Sequence, residues 1–130
     1  MQRSSEVQIR VRYGETDQMG VVYHANYFTY FEIGRTELSR VNGYTYKEIE
    51  ASGVLAAVIK AECAYHKPAK YDDLLTIKTN LNRVTRVKIE YETQIFRDNE
   101  LLVTGRVTLA FVDRQGKIRP VPDWVKPDDE

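Results

Sequence analysis

One stretch of helical periodicity, followed by strand alternation almost to the end, is what most constrains this chain. Tyr27, Tyr30, Phe31, Gly34, Leu38 and Val41 recur at steps of three and four, so they share one face of a long helix. Glu32, Thr36, Glu37 and Arg40 mostly fall elsewhere, and Asn42-Gly43 reads as the stop. Gly34 lies on the apolar face, where a missing side chain lets another backbone come close. Ahead of the helix, Val7, Ile9, Val11 and Tyr13 alternate with Gln8, Arg10 and Arg12, the period of a half-buried strand. A short second helix is expected over 45–52, ended by Gly53.

The remainder alternates. Residues 54–59 are almost continuously apolar, and Ala61, Cys63 and Tyr65 then alternate with Lys60 and Glu62 until Pro68. Leu75, Ile77 and Leu81 alternate with polar neighbours, as do Val87, Ile89, Tyr91, Thr93 and Ile95. Val103, Val107, Leu109 and Phe111 face one way, with Gly105 in the same row. Asp98-Asn99-Glu100 and Asp113-Arg114-Gln115-Gly116 are turns. The tail, about 119–130, carries Pro120, Pro122 and Pro127 and is read as irregular, with Trp124 packing it down. The 130 residues fit one domain. Short turns make the last strands antiparallel, and one long helix can cover one apolar sheet face. The expected fold is α+β, an antiparallel five-stranded sheet wrapped around one helix. The apolar run at 54–59 implies burial on both faces, and a long bare edge invites pairing, so a homodimer is expected.

Nineteen basic residues balance nineteen acidic ones, so nothing global steers the chain to nucleic acid or an anionic membrane. The lone Cys63 suits a reducing compartment and reads as a small core residue. Residues 1–13 alternate without a long apolar run, predicting neither signal peptide nor transmembrane segment, hence a cytoplasmic protein. No GxSxG, P-loop, GxGxxG or HExxH occurs, and two histidines with one cysteine make no convincing metal site.

Chemistry is left to the loop between the first strand and the long helix. Asp17 lies there, followed by Gly20 and the run Val21, Val22, Tyr23, His24, Ala25, Asn26. A helix N-terminus presents unpaired N–H groups that suit a developing oxyanion. A carboxylate just upstream can activate water or attack a carbonyl held there. Taken alone, Asp17 is as well explained as a loop or capping carboxylate, His24 as a surface residue, Asn26 as a cap or first-turn residue, and Tyr13 and Tyr23 as packing. Glu32 and Arg35 form an ordinary i, i+3 pair.

The stretch Tyr13-Gly14-Glu15-Thr16-Asp17-Gln18-Met19-Gly20-Val21-Val22-Tyr23-His24-Ala25-Asn26-Tyr27-Phe28 resembles the signature of the 4-hydroxybenzoyl-CoA thioesterase-like hotdog family, nearest to the branch with the Tol–Pal-associated acyl-CoA thioesterases. The likeness continues at Phe31-Glu32, Arg35 and Pro68-Ala69-Lys70-Tyr71-Asp72-Asp73. Gly14-Glu15 departs from it, since many members carry a bulkier residue and a different acid there. The resemblance implies a hotdog fold and hydrolysis of an acyl-CoA to free acid and CoA. It implies Asp17 as general base or nucleophile with His24 and Tyr13 as further catalytic residues, the His24 N–H and side chain polarising the carbonyl, and Tyr23 with His24 positioning the substrate. It also implies a homodimer with sites across its boundary, and for some members a homotetramer. No cofactor is implied, coenzyme A being part of the substrate. The CoA phosphates need basic partners, for which Lys67, Lys70, Arg83, Arg86 and Lys88 are candidates, each otherwise a solvated charge. Alternatives are a non-hydrolytic acyl-thioester binding protein and a hydrolase of acyl carrier protein thioesters. A hydratase is disfavoured, because no Asp-x-Asn-Pro-x-His run occurs.

Overall fold

The computed structural model describes residues 1–128. Its elements are β1 (Ser4–Arg10), a 3-10 turn (Tyr13–Glu15), α1 (Asn26–Val41), α2 (Tyr46–Ala51), β2 (Leu55–Tyr65), β3 (Leu74–Val84), β4 (Lys88–Arg97), β5 (Glu100–Val112) and β6 (Ile118–Arg119). The long strands form one antiparallel sheet in the order β1-β3-β4-β5-β2. β6 is the departure from a five-stranded sheet. Its two residues pair with Phe111 and Val112, just past Ala110, where β4 ends its pairing with β5. The tail is otherwise irregular as far as it is described, and Trp124 and Val125 are buried there; residues 129 and 130 lie outside the described residues.

The alternation seen in sequence becomes the core. Leu75, Ile77 and Leu81 of β3, Ile89, Tyr91 and Ile95 of β4, and Val103, Val107, Leu109 and Phe111 of β5 are buried. α1 covers that face through Tyr27, Tyr30, Phe31, Gly34 and Leu38. Two glycines set how close the helix lies. A Cβ on Gly34 would fall 2.2 Å from Thr79 Oγ1, and one on Gly105 would fall 2.2 Å from Phe31 Cζ. The helix thus rests its backbone on β3 and the tip of a phenyl ring on β5.

Several expectations are corrected. Val41 is 45% exposed, because the helix ends there, and Arg35 and Ser39 are buried instead. Arg35 makes no ion pair with Glu32 among the described residues. The first strand stops at Arg10, so Tyr13 is not an inward strand residue but lies in the 3-10 turn. Within the chain the 54–59 run is not buried on both faces. β2 is the sheet's edge, and Val58 and Ile59 are 55% and 50% exposed. Ile59 is the extra residue of a bulge, since Val58 pairs with Leu109 and Lys60 with Thr108. A second bulge leaves Leu102 unmatched between Val103 and Leu101, and its carbonyl accepts the N–H groups of His66 (2.8 Å) and Lys67 (3.0 Å). That fixes the chain leaving β2 beside the loop before α1. Among the described residues, no helix is long and apolar enough to cross a membrane.

Candidate active site

The loop of residues 11–26 is folded back on itself as a miniature ladder. Tyr23 donates its N–H to Glu15 O (3.0 Å), Thr16 bridges Val22, and Asp17 donates to Val21 O (2.8 Å). Val22 in turn donates to Ala69 O (2.9 Å), and Val21 bridges Lys70. The two arms of the ladder are joined by a turn in which Gly20 donates to Asp17 O (3.0 Å) with φ +80°, a conformation that favours glycine. Asp17 Oδ1 accepts the Met19 N–H (2.8 Å). Its other oxygen takes no hydrogen bond among the described residues. The carboxylate thus braces the turn through one oxygen and leaves the other unspent on the partly exposed rim of the loop.

The ladder hands the chain to α1. Ala25, the residue before the helix, is already in the right-handed region and provides no side-chain cap, and the first turn contains no acid. Asn26 is the first helical residue, but its amide reaches back to Glu15 O (2.9 Å). The N–H groups of His24 and Ala25 are not donated to any described residue. An uncapped helix start leaves such donors and the positive dipole end available to an anion. The His24 carbonyl accepts from the Tyr65 hydroxyl (3.0 Å), and the His24 ring lies tilted at 46° against exposed Tyr23, centroids 4.4 Å apart. Val22, His24, Tyr27, Tyr65, His66, Lys67 and Pro68 border an open groove of about 210 Å³. Burial first, then Cys63 close by, pushes the Tyr65 phenol up to about 12, so it remains a donor at neutral pH.

Glu15 and Tyr30 are joined by a hydrogen bond beneath the loop. Burial alone would push Glu15 up, but hydrogen bonds from the Arg12 N–H, the Arg12 guanidinium and the Tyr30 hydroxyl outweigh it and hold the carboxyl below its ordinary value. Tyr30 is fully buried, and its phenol is raised by that burial and then by its bond to Glu15. Neither residue was a candidate from sequence. The signal available was the acid two positions before Asp17, on the same arm of the ladder.

Tyr13 is 79% exposed and packs edge-on against Tyr71 at 5.7 Å. Lys67 borders the groove, paired with Glu100 (2.6 Å), and Lys70 follows the residue that receives the Val22 N–H. Arg83 and Lys88 line a separate depression of about 340 Å³ with Thr85, Glu90 and Thr108. Arg86 lies in the adjoining turn, where its carbonyl accepts from Val121 (2.9 Å). This second basic group is at the end of β3 remote from the loop, since Leu74 pairs with Arg10 and Val11 donates to Asp73 O. At about 3.3 Å per residue, the eleven residues of β3 put the two basic groups roughly 30 Å apart in one chain. Among the described residues, no three His, Cys, Asp or Glu side chains are gathered to hold a metal ion.

Comparison with known proteins agrees with this architecture. A family model described as the thioesterase-like superfamily matches residues 11–127. The putative acyl-CoA thioesterase YneP of Bacillus subtilis is 35% identical over 127 residues, covering 92% of this chain and 91% of that protein. The acyl-CoA thioesterase YbgC of Haemophilus influenzae is 39% identical over 114 residues, covering 87% and 83%. The crystal structure of a probable thioesterase from Bartonella henselae superposes with a TM-score of 0.87 at 36% identity, covering 92% of this chain and 99% of that one. A sheet folded about one long helix, a family match over nearly the whole length and these relatives agree: the chain belongs to the thioesterase-like superfamily, as a hotdog thioesterase of the 4-hydroxybenzoyl-CoA thioesterase-like kind.

Proposed function

We propose that this protein hydrolyses acyl-CoA esters to the free acid and CoA, with Asp17 as the central carboxylate and the His24 N–H as the oxyanion donor. The observation that carries the reading is the miniature ladder. It holds a carboxylate with one unspent oxygen in the same folded loop that leads into the uncapped start of α1, where the His24 N–H has no acceptor among the described residues. The thioester oxygen would sit on that N–H. Asp17 would then either take a proton from the attacking water, or attack the carbonyl itself to give an acyl-aspartyl anhydride that water hydrolyses to the free acid, CoA leaving as thiolate in both cases. A thioester is already activated, so the reaction asks for no metal or organic cofactor. Tyr23 and the His24 ring would flank the acyl group, and Tyr13 would come into play only if a further element folds over its exposed ring.

A second copy of the chain would complete this reading. β2 offers an exposed edge with Val58 and Ile59 uncovered, and antiparallel pairing of two such edges would close it. That two-fold would bring the partner's far end beside this chain's loop. Arg83, Arg86 and Lys88 of one copy would then join Lys67 and Lys70 of the other on the same side of the dimer, where the CoA phosphates would lie. Pairing of dimers into tetramers, and a cytoplasmic setting, fit the same reading. The test is thiol release from acetyl-, octanoyl-, palmitoyl- and benzoyl-CoA by wild type and Asp17→Asn. Turnover by wild type with a loss of about 10²-fold or more in a folded variant supports it. Wild-type rates in Asp17→Asn would remove Asp17 from the chemistry, and inert wild type would favour an acyl carrier protein substrate or a binding role.

A further inference from the structure

Two carboxylates sit two residues apart in the site loop, and they are used in opposite ways. Asp17 keeps one oxygen free on the rim. The Glu15 side chain is only 15% exposed, and three donors converge on it: the Arg12 N–H (2.8 Å), the Arg12 guanidinium (3.1 Å) and the Tyr30 hydroxyl (3.0 Å). Its main-chain carbonyl accepts two more, from the Tyr23 N–H (3.0 Å) and the Asn26 amide (2.9 Å). Those five bonds reach every part that flanks the reaction centre. Arg12 belongs to the chain entering the loop, Tyr23 directly precedes His24, Asn26 opens α1, and Tyr30 lies one turn further along the helix. Tyr30 is fully buried, and Glu15 is the hydrogen-bond partner of its hydroxyl.

The choice of a carboxylate follows from that geometry. Two N–H groups and a hydroxyl arriving together are satisfied by a group that only accepts. Oε1 takes both the Arg12 N–H and the Tyr30 hydroxyl while Oε2 takes the Arg12 guanidinium, so an amide must set its NH₂ against one of these donors, and at least one bond of the cluster is lost. What that loss loosens is the spacing between Asp17 and the His24 N–H, because the Glu15 main chain lies in the same ladder arm as Asp17 and opposite Tyr23. A displacement of about 1 Å in a reacting pair costs up to ~10²-fold in rate.

We propose that its carboxylate makes Glu15 a positioning residue for thioester hydrolysis, tying the Asp17 arm of the loop to α1 through Tyr30 and to the entering chain through Arg12, beside the main-chain bonds that the Glu15 carbonyl makes to Tyr23 and Asn26. The inference rests on the roles proposed above for Asp17 and His24, and it is tested by a cycle that separates the two. Glu15→Gln, Tyr30→Phe, Asp17→Asn and the double variant Glu15→Gln/Asp17→Asn are compared with wild type on the four CoA esters. The expected result is a fall in kcat of about 10-fold for Glu15→Gln and for Tyr30→Phe, with KM within about twofold. The double variant should be no slower than Asp17→Asn alone, because Glu15 acts through the carboxylate it positions. Wild-type kcat in Glu15→Gln with Asp17→Asn disabled overturns this inference and leaves the Asp17 reading intact. Wild-type kcat in Asp17→Asn overturns both. Losses that multiply in the double variant, or a change confined to KM, overturn the positioning role. Hydrogen exchange supplies a readout that needs no substrate. The hydrogen-bonded amides of Thr16, Asp17, Gly20, Val22 and Tyr23 should exchange faster in Glu15→Gln while those of β3, β4 and β5 keep wild-type protection, and unchanged exchange in the loop overturns the inference.

Discussion

Gly105→Ala is a one-carbon perturbation whose cost can be worked from the packing of α1 on the sheet. Gly105 sits in the middle of β5, opposite Thr93 on one side and Cys63 on the other. An added Cβ would lie 2.2, 2.3 and 2.9 Å from the Cζ, Cε2 and Cε1 atoms of Phe31. Ordinary carbon contacts are about 3.5–4.0 Å, so the ring tip must withdraw by roughly 1.3–1.8 Å. Phe31 is 1% exposed and cannot swing into solvent, so the helix must lift or the ring must leave its rotamer. Overpacking of this kind costs about 1–3 kcal/mol. The Gly→Ala change returns about 0.4–1 kcal/mol through the unfolded chain, because Gly105 has no positive φ to defend. The net expectation is a loss of about 1–2 kcal/mol, or about 4–7 °C in Tm for a 130-residue domain. Urea unfolding followed by circular dichroism at one fixed protein concentration measures it, since association would make stability depend on concentration. The decisive control is Phe31→Leu in the Gly105→Ala background. A shorter side chain should recover part of the loss, giving a favourable coupling of at least ~0.5 kcal/mol. Gly105→Ala within 0.5 kcal/mol of wild type, or no coupling to Phe31→Leu, would show that this contact does not set the height of the helix.

Two further outcomes follow from the exposed edge and from the buried acid. Val58→Lys places a charge on the bare β2 edge, where Val58 is 55% exposed, so the chain itself should tolerate it while the sedimentation mass halves relative to a dimeric wild type; an unchanged mass would place the association elsewhere. Glu15 has a folded-state pKa below its ordinary value of 4.5, so its stabilisation is fully present above that value and is lost as pH falls through the lower folded value. The stability gap between wild type and Glu15→Gln should therefore hold from pH 7 to about 5 and close on further acidification, as urea midpoints would show; a gap independent of pH would mean the carboxyl is not held ionised.

What could be read from the sequence divides along a physical line. Periodicity reports which face of an element is apolar, and it located α1, its Asn42-Gly43 stop (Gly43 has φ +92°) and the inward rows of β3, β4 and β5. It does not report which strand lies at an edge. The 54–59 run has the composition of a doubly covered strand, yet Val58 and Ile59 are half exposed in the single chain, because β5 is the only strand paired with β2 among the described residues. The same limit applied to polar groups. Asp17 and His24 stood out by their place between a strand and a helix and by the resemblance they carried. Glu15 and Tyr30 did not, although they are fifteen residues apart and joined by a 3.0 Å bond, because a hydrogen bond between a loop acid and a core phenol leaves no period in the sequence. Tyr65 was hidden for the same reason, reaching forty-one residues back to the His24 carbonyl. The residues that tie the loop in place are thus the ones periodicity cannot find. The buried one, Tyr30, looked like ordinary core. A tyrosine on an apolar helix face next to a loop bearing paired acids is accordingly worth testing as a hydrogen-bond donor before it is counted as packing, and Tyr30→Phe, which deletes one oxygen and keeps the ring, makes that distinction in a single substitution.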